Sequence, residues 1–189
     1  NAREKLFFEI NNFFEENNIK IKGSAISFST PNRIIINFSN ISNDTIKNSE
    51  EIKGPSVNAK SEALEGFLKS HNINKSQATP KSTEKGEFFF YTKPKQKLMT
   101  HDLLKKNLPL ILDKINWKKS MKWGTNQMFW GRPLKSILAV FNEKKIEFDF
   151  HHLKSSNCTF IDKDFEEKTK NFNNFKSYQT YFKSIKIIV

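Results

Sequence analysis

The sequence predicts an α+β fold in which antiparallel or mixed sheets pack against helices. Three patterns indicate this class: a helical stripe of apolar residues near the start, short strands separated by tight turns, and a strictly alternating strand in the second half. Strands joined by short turns pair in antiparallel fashion, so mainly antiparallel sheets are expected. The 189 residues suffice for one domain or two small ones.

The first third of the chain predicts a helix followed by a β-hairpin. Residues 2–18 carry an apolar stripe with the helical period of about 3.6 residues, made of Leu6, Phe7, Ile10, Phe13 and Phe14. Ala25–Phe28 and Arg33–Phe38 are predicted strands, and the turn residues Thr30-Pro31-Asn32 favour their antiparallel pairing. The polar residues 42–58 predict a loop.

The middle of the chain predicts a short helix and a buried strand. Ser61–Lys69 has helical spacing, and Ser61 is its expected N-cap. The side chains expected to face inward are Ala63, Leu64, Phe67 and Leu68. Residues 74–86 predict a second polar loop, and Glu87–Thr92 predicts a buried strand.

The second half predicts a broken helix, a β-hairpin and a weak final helix around Tyr178–Ile185. Thr100–Trp117 has a helical pattern, and a break is expected at Pro109, because proline lacks the amide donor and clashes with the preceding turn. Ile137–Phe141 and Lys145–Phe150 are predicted strands joined by a tight turn. Alternation in the second strand places three side chains on one face: Ile146, Phe148 and Phe150.

Three regions follow from these patterns. Residues 1–55 are predicted to form a helix and hairpin region, residues 56–160 an α+β domain, and residues 161–189 the start of a further, truncated element. The chain begins at Asn1 and ends on the apolar run Ile185–Val189, whereas natural termini are more often polar and frayed. We therefore expect a fragment of a longer protein.

Charge and composition indicate the class of partner. The net charge of +12 and the pI near 9.7 favour nucleic acid first and an acidic membrane surface second. Heavy use of Lys, Asn, Ile and Phe gives part of this charge a compositional explanation. The apolar runs are too short to cross a bilayer, so a cytoplasmic chain without a membrane partner is expected. The single cysteine, Cys158, excludes an intrachain disulfide and a cysteine-based metal cluster.

The sequence contains no recognisable catalytic signature. Its six glycines never take the spacing of a phosphate-binding loop. His151 and His152 are adjacent on a predicted strand and would point to opposite faces, which excludes a shared metal. Asp149 and His151 would share a face, but a solvated strand face explains them better than a general-base pair. A hydrolase would need Asp149, His151 and Cys158 to meet in one pocket, and we predict that they do not.

Aromatic and basic residues alternate between positions 117 and 132. The tryptophans are Trp117, Trp123 and Trp130, and the cations between and beside them are Lys118, Lys119, Lys122 and Arg132. Cations bind phosphates and flat rings stack on unpaired bases, so this segment suits RNA. Met121 and Met128 accompany the tryptophans and favour core packing for the three rings.

Five stretches carry a family resemblance. They are Thr30-Pro31-Asn32-Arg33, Ile52-Lys53-Gly54-Pro55-Ser56, Ala63-Leu64-Glu65-Gly66-Phe67 followed by His71-Asn72-Ile73, Lys119-Ser120-Met121-Lys122-Trp123-Gly124, and Trp130-Gly131-Arg132-Pro133-Leu134. In this order and at these spacings they resemble the β subunit of bacterial heterotetrameric glycyl-tRNA synthetase. The chain departs from that family at Ile161-Asp162-Lys163-Asp164, where the family has Gly-His-Arg-Phe, and it lacks the family's opening acidic strand.

The resemblance implies the N-terminal, non-catalytic part of an ATP-dependent class II ligase made of two α and two β subunits. Glycine activation with ATP would take place on the α subunit, so no cofactor is expected in this chain. The implied partners are tRNA(Gly) and the α subunit, in the cytoplasm. The implied fold resembles the appended domains of synthetase β subunits.

Five cations are candidates for contact with the tRNA backbone: Arg33, Lys53, Lys119, Lys122 and Arg132. Such cations neutralise phosphates and release counterions, which orients the RNA without reading its sequence. Arg33 and Arg132 have an equally good structural interpretation, in which they donate to carbonyl or carboxylate oxygens and hold turns. The alternatives are a free-standing basic RNA-binding module and a degraded copy without a synthetase partner.

Overall fold

The computed structural model describes residues 1–84, 86–123, 128–161 and 168–187, and it confirms the α+β class. The α-helices in these ranges are α1 (Ala2–Glu16), α2 (Ser61–His71), α3 (Thr100–Asp113) and α4 (Phe175–Ser184). The longer strands are β1 (Ala25–Thr30), β2 (Arg33–Phe38), β3 (Asp44–Lys47), β4 (Glu50–Ser56), β5 (Ala78–Thr83), β6 (Gly86–Lys93) and β7 (Gln96–Met99). None of the described helices is both long enough and apolar enough to span a membrane.

The remaining strands are short and follow α3. They are β8 (Met121–Lys122), β9 (Phe129–Trp130), β10 (Val140–Phe141), β11 (Lys144–Lys145), β12 (Asp149–Phe150), β13 (Leu153–Lys154), β14 (Cys158–Phe160) and β15 (Thr169–Asn171). Each pairs in antiparallel fashion with its neighbour in the sequence.

The chain divides into two compact units. Unit 1 comprises Asn1–Thr45 and Leu98–Val189, and unit 2 comprises Ile46–Lys97. The boundaries fall within β3 and β7, which pair as a two-stranded sheet. The division predicted at residues 55 and 160 stays a prediction, because contact density does not by itself define an independently folding domain.

In unit 1, aromatic rings join the first helix to the first hairpin. Asn1 and Glu4 form a capping box that starts α1. The predicted turn connects β1 and β2, whose register pairs Thr30 with Arg33. The Phe38 ring lies 5.2 Å from that of Phe7 and 5.1 Å from that of Phe14, so α1 covers this hairpin as a hydrophobic layer.

Two consecutive hairpins complete the main core of unit 1. Asn142 and Glu143 both have positive φ, which is the backbone of a tight two-residue turn between β10 and β11. The predicted alternation is confirmed, because Ile146, Phe148 and Phe150 are all buried in the main core. Buried Ser155 accepts from the Phe148 amide at 2.8 Å and lies 2.7 Å from the Ile146 carbonyl, which ties the two hairpins together.

Unit 2 is a three-stranded antiparallel sheet with one helix. Its strand order is β4-β6-β5, and α2 packs beside β4. Gly54 is required at the contact, because a Cβ there would lie 2.9 Å from the Phe67 ring. Among the described residues of unit 2, Ala78 is the one hydrophobic side chain that is fully buried.

Several local predictions were wrong for identifiable reasons. The predicted loops contain strands β3, β4 and β5, whose polar residues are those of exposed strand faces and edges. Helix α3 continues through Pro109, since Leu104 before it and Ile111 after it are buried in the same core. That burial offsets the cost of a proline inside a helix, about 3 kcal/mol.

The start of α2 also differs from the prediction. Lys60, not Ser61, is the N-cap, and it makes no capping hydrogen bond through its side chain. Ala63 is exposed rather than inward-facing. The start of helix α2 therefore depends on packing of its Leu64, Phe67 and Leu68 side rather than on an N-terminal side-chain cap.

Candidate nucleic-acid interface

The predicted basic segment forms a short hairpin in unit 1. Strands β8 and β9 pair Met121 with Trp130 and Lys122 with Phe129. We call residues 118–122 together with residues 129–132 the basic hairpin. Three of the five predicted tRNA contacts lie on it: Lys119, Lys122 and Arg132.

Trp130 forms the inner side of the basic hairpin, and Trp117 and Trp123 both contact it. Trp130 is buried, and its ring lies 5.0 Å from that of Trp117. The Trp123 Nε1 donates to the Trp130 carbonyl at 3.0 Å. Gly131 has no room for a side chain, because a Cβ there would overlap the Trp117 ring. The rings are therefore core anchors, as predicted, and not stacking surfaces.

The outer side of the basic hairpin exposes cations beside apolar groups. Lys119, Lys122 and Arg132 are exposed, and Met121 and Phe129 keep 56% and 59% of their surface accessible. The Lys122 ammonium lies 5.3 Å from the centroid of the Phe129 ring. An exposed ring with an ammonium group beside it, on a hairpin that exposes further cations, fits a phosphate chain with an unpaired base.

Phe129 was not predicted to be a surface residue. Its neighbours Met128 and Trp130 are buried, so the three residues alternate inward, outward and inward. That period of two residues is the strand signal that identifies Phe129 as outward-facing.

Arg33 is engaged within unit 1 rather than presented to solvent. Its guanidinium donates to the Phe160 carbonyl at 2.7 Å and to the Ile161 carbonyl at 3.1 Å, and it lies 4.5 Å from the Phe182 ring centroid. Burial raises the pKa of the neighbouring Tyr178 phenol, while the Arg33 charge acts in the opposite direction. These contacts favour the structural interpretation of Arg33.

Lys53 is exposed and belongs to unit 2, whereas the basic hairpin belongs to unit 1. It lies on β4, and its ammonium is 3.5 Å from the centroid of the Phe88 ring. The five predicted contacts are thus a group of three on one hairpin, an engaged arginine in unit 1 and a lysine on the unit 2 sheet.

The residues required by the hydrolase alternative lie in different surroundings. His151 begins the turn after β12 with φ of 52°, so it does not continue the face of Asp149, and the predicted shared face was wrong. The Nε2 atom of His151 contacts Oδ1 of Asp113 at 3.1 Å. Asp149, in contrast, lies on β12 opposite Lys154 of β13 in the strand register. Cys158 lies on β14 and is opposite Asn171 of β15 in the strand register. Asp149 lines one surface pocket and His151 lines another, and Cys158 lines neither of these two, which agrees with the prediction that the three groups do not meet.

One of the five resemblance stretches, and the departure from the family pattern, extend beyond the described part of the chain. Gly124 ends that stretch and lies outside the described residues, as do residues 162–164 at the departure from the family pattern. Within the described ranges, no group of three or more His, Cys, Asp or Glu side chains is arranged to hold a metal ion.

The fold and the basic hairpin together define a basic α+β module whose exposed cations complement a polyanion. A family model described as "Glycyl-tRNA synthetase beta subunit" matches residues 1–189. The chain therefore belongs to the glycyl-tRNA synthetase beta subunit family.

Similar proteins are glycine–tRNA ligase beta subunits from Rickettsia species. Identity is 31% to the protein of Rickettsia peacockii (strain Rustic) over 95% of this chain and 27% of the relative. It is 33% to that of Rickettsia bellii (strain OSU 85-389) over 88% of this chain and 25% of the relative. The chain thus spans about a quarter of the length of the curated relatives that it matches.

Proposed function

We propose that this chain is the non-catalytic N-terminal part of a glycine–tRNA ligase β subunit. In this role it supports binding of tRNA(Gly) and assembly of a complex of two α and two β subunits. The observation that carries the proposal is the family match over residues 1–189. Family membership also supports a synthetase part over a free-standing RNA-binding module.

The basic hairpin is the proposed tRNA contact. Lys119, Lys122 and Arg132 would each replace a counterion on the phosphate backbone, and the entropy of the released ions would favour binding. Such contacts set the register and orientation of the RNA and leave sequence choice to other parts of the enzyme. Arg33 is less well placed to contact the tRNA backbone, because its guanidinium already donates to two carbonyls.

In this proposal, the α subunit catalyses the chemical reaction. The α subunit would activate glycine with ATP, and this chain would hold no cofactor of its own. The assembled enzyme would act in the cytoplasm, where tRNA is charged. This chain would contribute to the reaction by holding the tRNA near the separate catalytic subunit.

Charge reversal on the basic hairpin tests the proposal. We expect Lys122→Glu with Arg132→Glu to weaken tRNA(Gly) binding about tenfold or more, since two charge-assisted contacts become repulsive. The matched control reverses two exposed lysines elsewhere in unit 1, Lys20→Glu with Lys22→Glu. Fluorescence anisotropy with labelled tRNA gives Kd, and circular dichroism checks the fold. Equal weakening in both variants would refute a hairpin-specific contact and leave only a non-specific charge effect.

A further inference from the structure

The unit 2 sheet has two different faces. On one face, His71 of α2 lies with its ring 6.3 Å from that of Tyr91, and the register places Ile52 and Ala78 opposite Tyr91. Side chains alternate along a strand, so Phe88 and Phe90, which flank Phe89 on β6, point to the face opposite α2.

This second face carries two aromatic rings on the central strand and a lysine on each neighbouring strand. The register pairs Lys53 of β4 with Phe90 and Lys81 of β5 with Phe88. The Lys53 ammonium lies 3.5 Å from the Phe88 ring centroid, and the Lys81 ammonium lies 5.7 Å from that of Phe90. We call Lys53, Lys81, Phe88 and Phe90 the Phe88/Phe90 face.

The rings of this face are not part of a packed interior. Both are half-buried, and neither belongs to a core cluster of the described residues. The stems of Lys53 and Lys81 reach across them, and the Lys81 side chain keeps 51% of its surface exposed. A ligand phosphate that binds the ammonium groups would draw these stems away and leave the rings accessible.

The charge on the Phe88/Phe90 face identifies the class of ligand. Glu51 shares the face and forms an ion pair with Lys81, so a bound phosphate would replace the Glu51 carboxylate as the partner of the Lys81 ammonium. Lysine is depleted at the centre of protein–protein interfaces, so ammonium groups directly over the rings argue against a protein partner. Phosphates for the lysines and flat bases for the rings are found together in an unpaired nucleic-acid strand.

We propose that the Phe88/Phe90 face binds unpaired nucleotides of RNA. Bases stack on Phe88 and Phe90 while Lys53 and Lys81 bind the adjoining phosphates. The site consists of residues of unit 2, whereas the basic hairpin belongs to unit 1, and it rests on the proposed function only in taking tRNA as the natural RNA. Duplex RNA binds here less well, because its bases are already stacked and paired.

The test uses the 189-residue chain and a single-stranded RNA of about eight nucleotides, a length typical of such sites, that contains 2-aminopurine. We expect Phe88→Leu with Phe90→Leu to weaken binding about fivefold or more, the effect of losing at least one base stack. The quenching of 2-aminopurine fluorescence by stacking is also lost. The matched control is Phe28→Leu, an exposed phenylalanine on a strand of unit 1, which leaves both readouts unchanged.

A second variant leaves the two phenylalanine rings in place. Lys53→Gln with Lys81→Gln changes only exposed groups, and we expect the slope of log Kd against log salt to fall by about 0.7 for each lysine removed. Unchanged binding of single-stranded RNA in both double variants would overturn the proposal. Loss of α-subunit binding with intact RNA binding would also overturn it, because the face would then be a protein interface.

The experiments distinguish failure of the basic hairpin proposal from failure of the Phe88/Phe90 face proposal. If charge reversal on the basic hairpin leaves tRNA binding intact while the phenylalanine variant loses single-strand binding, the hairpin assignment fails and the Phe88/Phe90 face stands. The reverse pattern removes the Phe88/Phe90 face and leaves the proposed function in place.

Discussion

At the scale of single residues, the sequence pattern did not show which cations are exposed and which form hydrogen bonds within the fold. Arg33 and Arg132 both had two open interpretations, and the structure gives them different positions. Arg33 donates to two carbonyls from a half-buried position, whereas Arg132 is exposed on the basic hairpin. The carbonyls of Phe160 and Ile161 lie more than a hundred residues away along the chain, and no local pattern shows that the fold brings them to Arg33.

The aromatic residues were more predictable because methionine neighbours indicated a core. Trp130 is buried as expected, yet the exposed position of Phe129 and the half-buried positions of Phe88 and Phe90 were not predicted. Phe88 and Phe90 lie in the run Phe88-Phe89-Phe90-Tyr91, which has the composition of a strand buried on both faces. Only the positions of β4, β5 and α2 show that one face of β6 carries lysines instead.

Two glycines give a prediction at this scale. Gly131→Ala should lower the free energy of unfolding by about 1–3 kcal/mol, because the added methyl overlaps the Trp117 ring in a packed region. Gly66→Ala is the control, since its Cβ would meet nothing within 4 Å in helix α2. It should raise helix stability by roughly 0.5–1 kcal/mol. Urea denaturation measures both, and a neutral Gly131→Ala would show that this contact is loose.

At the scale of elements, strong periodic patterns were predicted well and polar strands were not. The first helix, the first hairpin and the final helix form near their expected positions, whereas the predicted strand Lys145–Phe150 is divided between β11 and β12, which belong to different hairpins. Strand β5 was missed because it is polar, contains Pro80 and lies at the edge of its sheet. Helix α3 continues through Pro109 because of tertiary packing, which a local rule does not include.

Arg33 links two elements of unit 1, which gives a prediction at this scale. It extends from β2 to the end of β14, so Arg33→Met leaves the Phe160 and Ile161 carbonyls without this donor. We expect unfolding free energy to fall by about 1–3 kcal/mol. Arg132→Met, at an exposed position, should change it by less than about 0.5 kcal/mol.

For tRNA binding, the expected order of the two arginine variants is the opposite of their order for stability. Arg132→Met should weaken tRNA binding, while folded Arg33→Met retains it. Equal loss of tRNA affinity in both would indicate that Arg33 also contacts RNA, against the structural interpretation.

At the scale of the whole molecule, fold class and family were predictable from the sequence, whereas the contact-based division into two units has no signal in the local sequence pattern. The α+β class followed from patterns within single segments, and the family followed from five motifs in order. The two units interleave along the chain, with unit 2 inserted between two parts of unit 1. Such an insertion depends on contacts between distant segments, which local composition does not encode.

The central claim is that this basic chain binds tRNA through phosphate contacts. The most direct measurement is the Kd of the 189-residue chain for tRNA(Gly) over a range of salt concentrations. We predict a steep linear loss of affinity in a log–log plot, and a slope that falls by about 0.9 for each of Lys119, Lys122 and Arg132 changed to Gln. A flat salt response, or no binding at low salt, would contradict the claim.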